Sequence, residues 1–408
     1  MNTAEFVQKR KFIVKLGKML HKYGTPAYRQ EAHLLEVASY LNLHASYITT
    51  PTSLTFVIWS DKHEDEYTHA ARVQPGELDL GSLSKTDELV SLLLADKLSL
   101  EEADKQLDVI DNAPHPYNKT IIGAAFATAS AAFALLMGTS WNDVFWSGLL
   151  GLTAYFWVLW AGKSKRVATM VEPASALTTG FLAVAISHSI DSGVNIWLVV
   201  LSSLIVFMPG LALFLGLAEL SARHLVSGTA RIMDALMMLF KLYFGAFFGV
   251  TIGVGVFGIQ EFVQPQAPAK WWAWIAIMML CASLIPIFRI RAKHILWSLL
   301  CGFIAWGITY WSAQYLDYAL GTFVGAFAVG VYANLFSRLA DSPATIVTMQ
   351  GLIILVPGSK TYIGLNSLIS GHDFIPAPHI GQQTFLIFMS MVAGLIFANV
   401  AYPSKKAL

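Results

Sequence analysis

Two periods alternate along this chain, and then a third pattern replaces both. Over residues 6–41 apolar positions recur at helical spacing. Phe12, Ile13, Leu16, Met19 and Leu20 mark one helix, and Leu34, Leu35, Val37 and Ala38 a second. Gly24 stops the first. Thr25 followed by Pro26 reads as a cap and first-turn proline opening the second. The segments 45–50, 53–60 and 67–73 are rich in β-branched and aromatic residues. Pro51-Thr52 and the polar run Asp61 to Asp65 separate them, so they read as three strands in a meander. Helical spacing returns over 78–94 and 99–110, where Ser99 and Glu102 form a capping-box pattern. From residue 120 onward the chain is dominated by long apolar runs.

Ten such runs are long enough to suggest membrane spans, near 120–138, 142–162, 170–190, 194–219, 232–258, 271–288, 294–313, 317–337, 343–369 and 380–402. Two of them contain a helix breaker. Met208-Pro209-Gly210 lies within the fourth and Val356-Pro357-Gly358 within the ninth. Each is followed by five residues and then Gly-Leu (Gly216-Leu217 and Gly364-Leu365). A proline inside a helix removes a donor and clashes with the preceding turn. In a bilayer such a break persists only where protein or a water-filled cavity satisfies the freed backbone. Matching breaks in two halves of an apolar chain point to a transporter binding site. The third and eighth runs match as well: Glu172, Gly180, Ala183 and Val184 recur in spacing as Asp317, Gly325, Ala328 and Val329. Five spans per half is an odd number, so a repeat of this kind inserts with inverted topology.

Charge sharpens the division. Charged residues make up 13% of the 408 residues, and more than half of them fall within residues 1–119. The expected architecture is a polytopic α-helical membrane protein with about ten transmembrane helices, arranged as a 5+5 inverted repeat with interrupted helices and preceded by a small α+β domain. The expected boundaries are 1–113 for that domain, 114–119 for a proline-containing linker, 120–260 for the first membrane unit and 261–408 for the second. Lys119, Lys163, Lys165, Arg166, Arg223, Arg231, Arg289, Arg291, Lys293, Arg338, Lys405 and Lys406 fall in alternate loops. That places both termini in the cytoplasm. No signal peptide is legible. A net charge of +1 gives no argument for nucleic acid. Cys281 and Cys301 lie in apolar runs and read as reduced packing residues.

Intramembrane charges are expensive and mark functional candidates. Glu172 and Asp317 read either as proton-binding carboxylates or as first-turn acids favoured by the helix dipole. Glu219 and Arg223 share a helical face as a local pair or a gate. Arg231 and Asp234 read likewise, and Lys241 reads as a snorkelling cation or a partner for one of the acids. Lys360 stands just past the second break and is placed to hold a carboxylate. Ser359, Thr361 and Asn366 could add hydrogen bonds, with Pro209, Gly210, Pro357 and Gly358 shaping the site. No Gly-x-Ser-x-Gly elbow, zinc signature or Walker motif is present, and His63 and His69 flank a solvated turn. Neither an enzyme, a cofactor nor a metal is expected. The partners expected are a small solute, protons and the bilayer, with a homo-oligomer left open.

The chain resembles the threonine/serine exporter family over nearly its whole length. The resemblance rests on Gly24-Thr25-Pro26, Thr49-Thr50-Pro51-Thr52-Ser53, Leu107-Asp108-Val109-Ile110, both Pro-Gly breaks, and Leu225-Val226-Ser227-Gly228-Thr229-Ala230-Arg231. Met208 and His224 depart from the family pattern. The resemblance implies a fused exporter of threonine and serine in the cytoplasmic membrane, driven by proton antiport. Some two-subunit relatives resemble dicarboxylate exporters, so export of organic acids is the alternative. A passive channel and, more remotely, a membrane-embedded hydrolase are the other classes.

Overall fold

The computed structural model describes residues 3–61, 63–258, 266–370 and 379–406. The expected division between residues 260 and 261 lies outside these, as does the side chain of His63.

The N-terminal part is an α+β layer. Helix α1 (Thr3–Lys22) ends at Gly24, whose φ of +80° closes the turn without a Cβ penalty. Helix α2 (Ala27–Tyr40) follows, then β1 (His44–Thr50), β2 (Ser53–Ser60) and β3 (His63–Arg72) in an antiparallel sheet of order β1-β2-β3. The third strand begins earlier than its apolar pattern suggested. Ser60 pairs with His63, and backbone pairing on a sheet edge needs no apolar side chains. Helices α3 (Leu80–Leu94) and α4 (Leu100–Asp111) complete the layer, and the Ser99–Glu102 capping box is formed. Phe12, Leu16, Leu34, Leu54, Phe56 and Ile58 are buried between α1, α2 and the sheet. Each contributes about 1.5–3 kcal/mol by leaving water. Gly17 permits the close packing, since a Cβ there would lie 2.6 Å from the Phe56 ring.

The remainder is helical. It comprises α5 (Lys119–Leu136), α6 (Trp141–Ala161), the short α7 (Lys165–Ala168), α8 (Val171–Ser189), α9 (Ile196–Ser203), α10 (Gly210–Ser221) and α11 (Leu225–Phe257). Then come α12 (Trp272–Ile287), α13 (Ile295–Ser312), α14 (Tyr318–Ala340), α15 (Thr345–Leu355), α16 (Gly358–Ser370) and α17 (Ile380–Ala401). Seven helices among the described residues are long and apolar enough to cross a membrane, or eight if the bent pair containing α9 and α10 counts as one span. Two expected spans fall short of that measure. Helix α12 has 16 residues, and α8 carries Glu172, Pro173, His188 and several hydroxyls in its 19. The fifth expected span is longer than its apolar run: α11 has 33 residues and includes the whole Val226-to-Arg231 motif.

Packing in one half has counterparts in the other. Helix α5 lies on α6 as α12 lies on α13, α6 touches α8 as α13 touches α14, and α8 runs along α11 as α14 runs along α17. Small residues allow the long contacts. A Cβ on Gly249 would lie 2.1 Å from the Leu177 carbonyl, and one on Gly394 would lie 2.6 Å from the Phe323 carbonyl.

Candidate functional site

Both breaks fold as proline chemistry requires. The residues before the prolines, Met208 and Val356, are extended, with ψ of 119° and 127°. Each helix restarts with a bond to the proline carbonyl, from the Leu213 amide at 3.0 Å and from the Thr361 amide at 3.0 Å. The first break bends its pair of segments by 55°. The two glycines meet. A Cβ on Gly210 would lie 2.4 Å from Val356 Cγ1 and 2.8 Å from Gly358 Cα, and one on Gly358 would lie 3.2 Å from Gly210 Cα. The structure thus brings Pro209-Gly210 and Pro357-Gly358 together with bare backbone at the crossing.

A cavity of about 720 Å³ adjoins this crossing, ample for a small solute. Its walls include Phe133, Ile205, Met208, Trp272, Trp306 and Ile354, with Gly210, Pro357, Gly358, Ser359 and Lys360 among its lining. Lys360 points its ammonium at the ring of Tyr318, 4.0 Å from the centroid. Lys270 also lines this cavity. Thr361 returns its hydroxyl to the Pro357 carbonyl at 2.9 Å, and Asn366 is buried. Two side chains near the second break escaped the sequence reading. Tyr243 of α11 and Tyr362 of α16 are buried with ring centroids 6.0 Å apart, and neither hydroxyl has a hydrogen-bond partner among the described residues. Nothing but their burial separates them from ordinary packing aromatics, and burial is not written in a locally apolar sequence.

Glu219 is fully buried and gathers four donors. Ser227 Oγ bonds Oε2 at 2.8 Å, Arg231 bonds both oxygens at 3.2 and 2.9 Å, and the Ala27 amide bonds Oε1 at 3.0 Å. Close approach of α10 to α11 makes this possible, since Gly228 lies against the Gly216 carbonyl where a Cβ would stand 2.7 Å away. This alters two expected pairings. Spacing matched Glu219 with Arg223 and Arg231 with Asp234, but the structure pairs Glu219 with Arg231. Arg223 is an exposed turn residue at φ +64°, where α10 has already ended, and Asp234 is exposed while Arg231 turns to the buried Glu219. It also alters the expected cap of α2. Thr25 Oγ1 is buried without a partner among the described residues, and Glu219 supplies the cap instead.

The other charged candidates stand apart from the central cavity. Lys241 lies 4.0 Å from Glu172 and lines an apolar surface groove of about 710 Å³ with Trp157, Phe240, Phe244 and Phe248. Glu172 Oε2 accepts no hydrogen bond among the described residues. Asp317 caps α14 by accepting the Leu320 amide at 2.9 Å, so its carboxylate satisfies a helix terminus. Both cysteines are buried and free. Among the described residues no group of three or more His, Cys, Asp or Glu is placed to hold a metal ion.

Comparison with known proteins bears on what this site serves. No solved structure matches the chain. Pheromone-regulated membrane protein 10 of Eremothecium gossypii is 23% identical over 389 residues, which cover 92% of this chain and 52% of that protein. The protein of the same name in Saccharomyces cerevisiae is 24% identical over 385 residues, covering 91% and 49%. An uncharacterized protein of Schizosaccharomyces pombe is 24% identical over 376 residues, covering 88% and 48%. The chain spans about half the length of these relatives. Two family models, both described as threonine/serine exporter, match residues 11–253 and 271–401 in succession. With most of its N-terminal α+β layer, its apolar helices and both Pro-Gly breaks inside those matches, this membrane protein belongs to the threonine/serine exporter family, in a form that carries both family units in one chain.

Proposed function

We propose that this protein is a secondary transporter that exports small polar amino acids, threonine and serine, across the cytoplasmic membrane by alternating access. The observation that carries the reading is the meeting of Gly210 and Gly358 beside a cavity lined by Lys360, a cation at the start of a restarted helix. The restarted helices present amide ends to a carboxylate, and Lys360 adds a full charge to them. The carbonyls freed before Pro209 and Pro357 suit an ammonium group.

In this reading the helices form ten spans in two inverted units, with both termini cytoplasmic. The matched breaks, the matched packing of α8 with α11 and of α14 with α17, and the basic alternate loops support it. The solute is exchanged for protons. Glu172 is the acid assigned to this exchange, because one oxygen of its carboxylate has no hydrogen-bond partner among the described residues and lies 4.0 Å from the Lys241 ammonium. Glu219 is tied by four donors, and Asp317 by a helix end. Both walls and cation would also admit a dicarboxylate, so a solute panel decides between the two.

The test is flux from vesicles containing the purified protein, with labelled threonine, serine and a C4 dicarboxylate, under an imposed pH gradient. Threonine and serine flux that rises with the gradient is expected. Flux indifferent to the gradient removes proton coupling, and flux that never saturates makes the protein a channel.

A further inference from the structure

The N-terminal layer is fastened to both halves of the helical bundle. On the first half, Glu219 near the end of α10 caps α2 through the Ala27 amide. On the second half, Arg29 donates to Thr345 Oγ1 at 2.6 Å, where α15 begins. Around these, Arg289 bonds Asp79 at 2.7 Å, Arg291 bonds Glu88 at 2.8 Å, Lys293 bonds the same carboxylate, and Lys406 bonds Asp87 at 2.7 Å. Tyr117 of the linker donates to the Ile290 carbonyl at 2.6 Å. These contacts fall on the α10–α11, α12–α13 and α14–α15 connections and on the C-terminal tail, which together form one end of the bundle.

The cavity reaches the other end. Its lining includes Gly138 after α5, Ala267 to Lys270 before α12, Tyr310 near the end of α13 and Tyr318 at the start of α14. The lining also follows α12 to Leu284, Ile287 and Phe288, and the Phe288 carbonyl accepts the Leu80 amide of the N-terminal layer at 3.1 Å, so the layer lies across the opposite end of the same cavity.

We infer that the N-terminal layer is the gate at its own end of the transport path, and that Glu219 is the positioning residue that links this gate to the first break. The inference rests on the transporter reading. Alternating access requires the halves to part at the end where they are now joined. A layer bonded to both halves must release one of them when they do, and because Glu219 holds α2 to the first half, the contacts released are those with the second. Helix α10 connects the two events. It starts at Gly210, against Gly358, and reaches Glu219 about 14 Å later at 1.5 Å per residue. A shift of α2 at its capped end thus moves the crossing at the other end. The same contacts favour the conformation in which they form, and any change that weakens them moves the population toward the opposite one.

The experiment uses the full chain in vesicles, with Cys281 and Cys301 replaced by serine. In one protein, Asp79→Cys and Arg289→Cys are joined by a short cleavable bis-thiol reagent. Threonine flux is expected to fall at least tenfold and to return on cleavage; unchanged flux in the joined protein overturns the gate. In a second protein, Ser359→Cys reports the rate of modification by a membrane-impermeant thiol reagent applied from the N-terminal side. Glu219→Gln is expected to raise that rate at least threefold. Should Glu219→Gln fail to fold, the Arg291→Ala, Lys293→Ala, Lys406→Ala combination leaves the buried cluster intact and is expected to raise it as well. No rise in any folded variant overturns the inference. Rates that shift while no solute in the panel moves sustain the gate and remove the transport reading.

Discussion

After Pro209-Gly210 the chain continues as Leu211-Ala212-Leu213 into a helix whose Glu219, in its last turn, bonds the N-terminal layer. After Pro357-Gly358 it continues as Ser359-Lys360-Thr361, and the first two of these line the cavity. The backbones are alike: an extended residue before the proline, a helix restarted on the proline carbonyl, and glycine facing glycine. The side chains are not. The first break is apolar at its start and anchored by charge at its far end. The second carries its charge at its start, next to the cavity. The two breaks share one geometry and differ in where their charge lies; in the transporter reading proposed above, the first serves attachment and the second recognition. Each task places its charge where it is compensated, in a hydrogen-bonded ion pair for Glu219 and against the Tyr318 ring for Lys360.

The largest effect is expected at the anchor. Glu219→Ala leaves Arg231 without its carboxylate and the Ala27 amide without its cap, in a place with no solvent to replace them. Breaking a buried pair by removing one partner costs about 3–5 kcal/mol. Thermal unfolding of the detergent-purified protein should shift down sharply, whereas Lys360→Ala should leave it nearly unchanged. Equal shifts would erase the distinction between an anchored and a recognising break.

The glycines sharpen the contrast next. Alanine at 210 drives its methyl into Val356 Cγ1 at 2.4 Å and into the Gly358 backbone at 2.8 Å. Overpacking of this kind costs about 1–3 kcal/mol. Alanine at 358 meets Gly210 Cα at 3.2 Å, tight but relieved by a few tenths of an ångström. Threonine flux should therefore be nearly abolished in Gly210→Ala and only reduced in Gly358→Ala. The reverse order would mean that the crossing is looser on the first side than its contacts indicate. Lys360→Gln keeps length and polarity while removing the charge. Its apparent affinity for threonine should weaken about tenfold, equivalent to ~1.4 kcal/mol, with the maximal flux retained.

Much of this comparison was legible in the amino-acid order. Proline fixes its own φ and restricts the residue before it wherever it stands, so both breaks could be placed by number. Ser99 and Glu102 satisfy each other three residues apart, and that box is formed as written. Local rules failed where the partner is distant. Arg231 reaches Glu219 across 12 residues and a chain reversal, while the neighbouring Arg223 is carried off by the turn. The cap of Ala27 comes from 192 residues away, and a Thr-Pro pair offered a nearer and wrong candidate. Ala27, directly after Gly24-Thr25-Pro26, is far in sequence from Ser227 and Arg231, yet all three bond one carboxylate. Only the packing of α10 on α11 and the reach of Glu219 to the start of α2 make that visible.

The smallest effect concerns pH, and it bears on the layer that the first break holds through Glu219. His21 is buried close to the Glu219–Arg231 pair, with Nε2 donating to the Pro51 and Gln74 carbonyls at 3.2 and 3.0 Å. Burial depresses its pKa below the ordinary 6.5, and the Arg231 charge adds to the effect. The unfolded imidazole takes a proton as pH falls through 6.5, whereas the folded one takes it only at lower pH. Above 6.5 both are neutral and the contribution to stability is fully present. Below 6.5 the unfolded chain binds more protons and stability declines until the folded imidazole is protonated too. Protease nicking within the N-terminal layer should therefore increase as pH drops from 7 to 5, and His21→Gln should flatten that dependence, because an amide can donate to a carbonyl without titrating. If the nicking rate of the unaltered protein is level across this range, His21 is not held neutral by its surroundings, and the attachment of the first break carries no pH dependence from this residue.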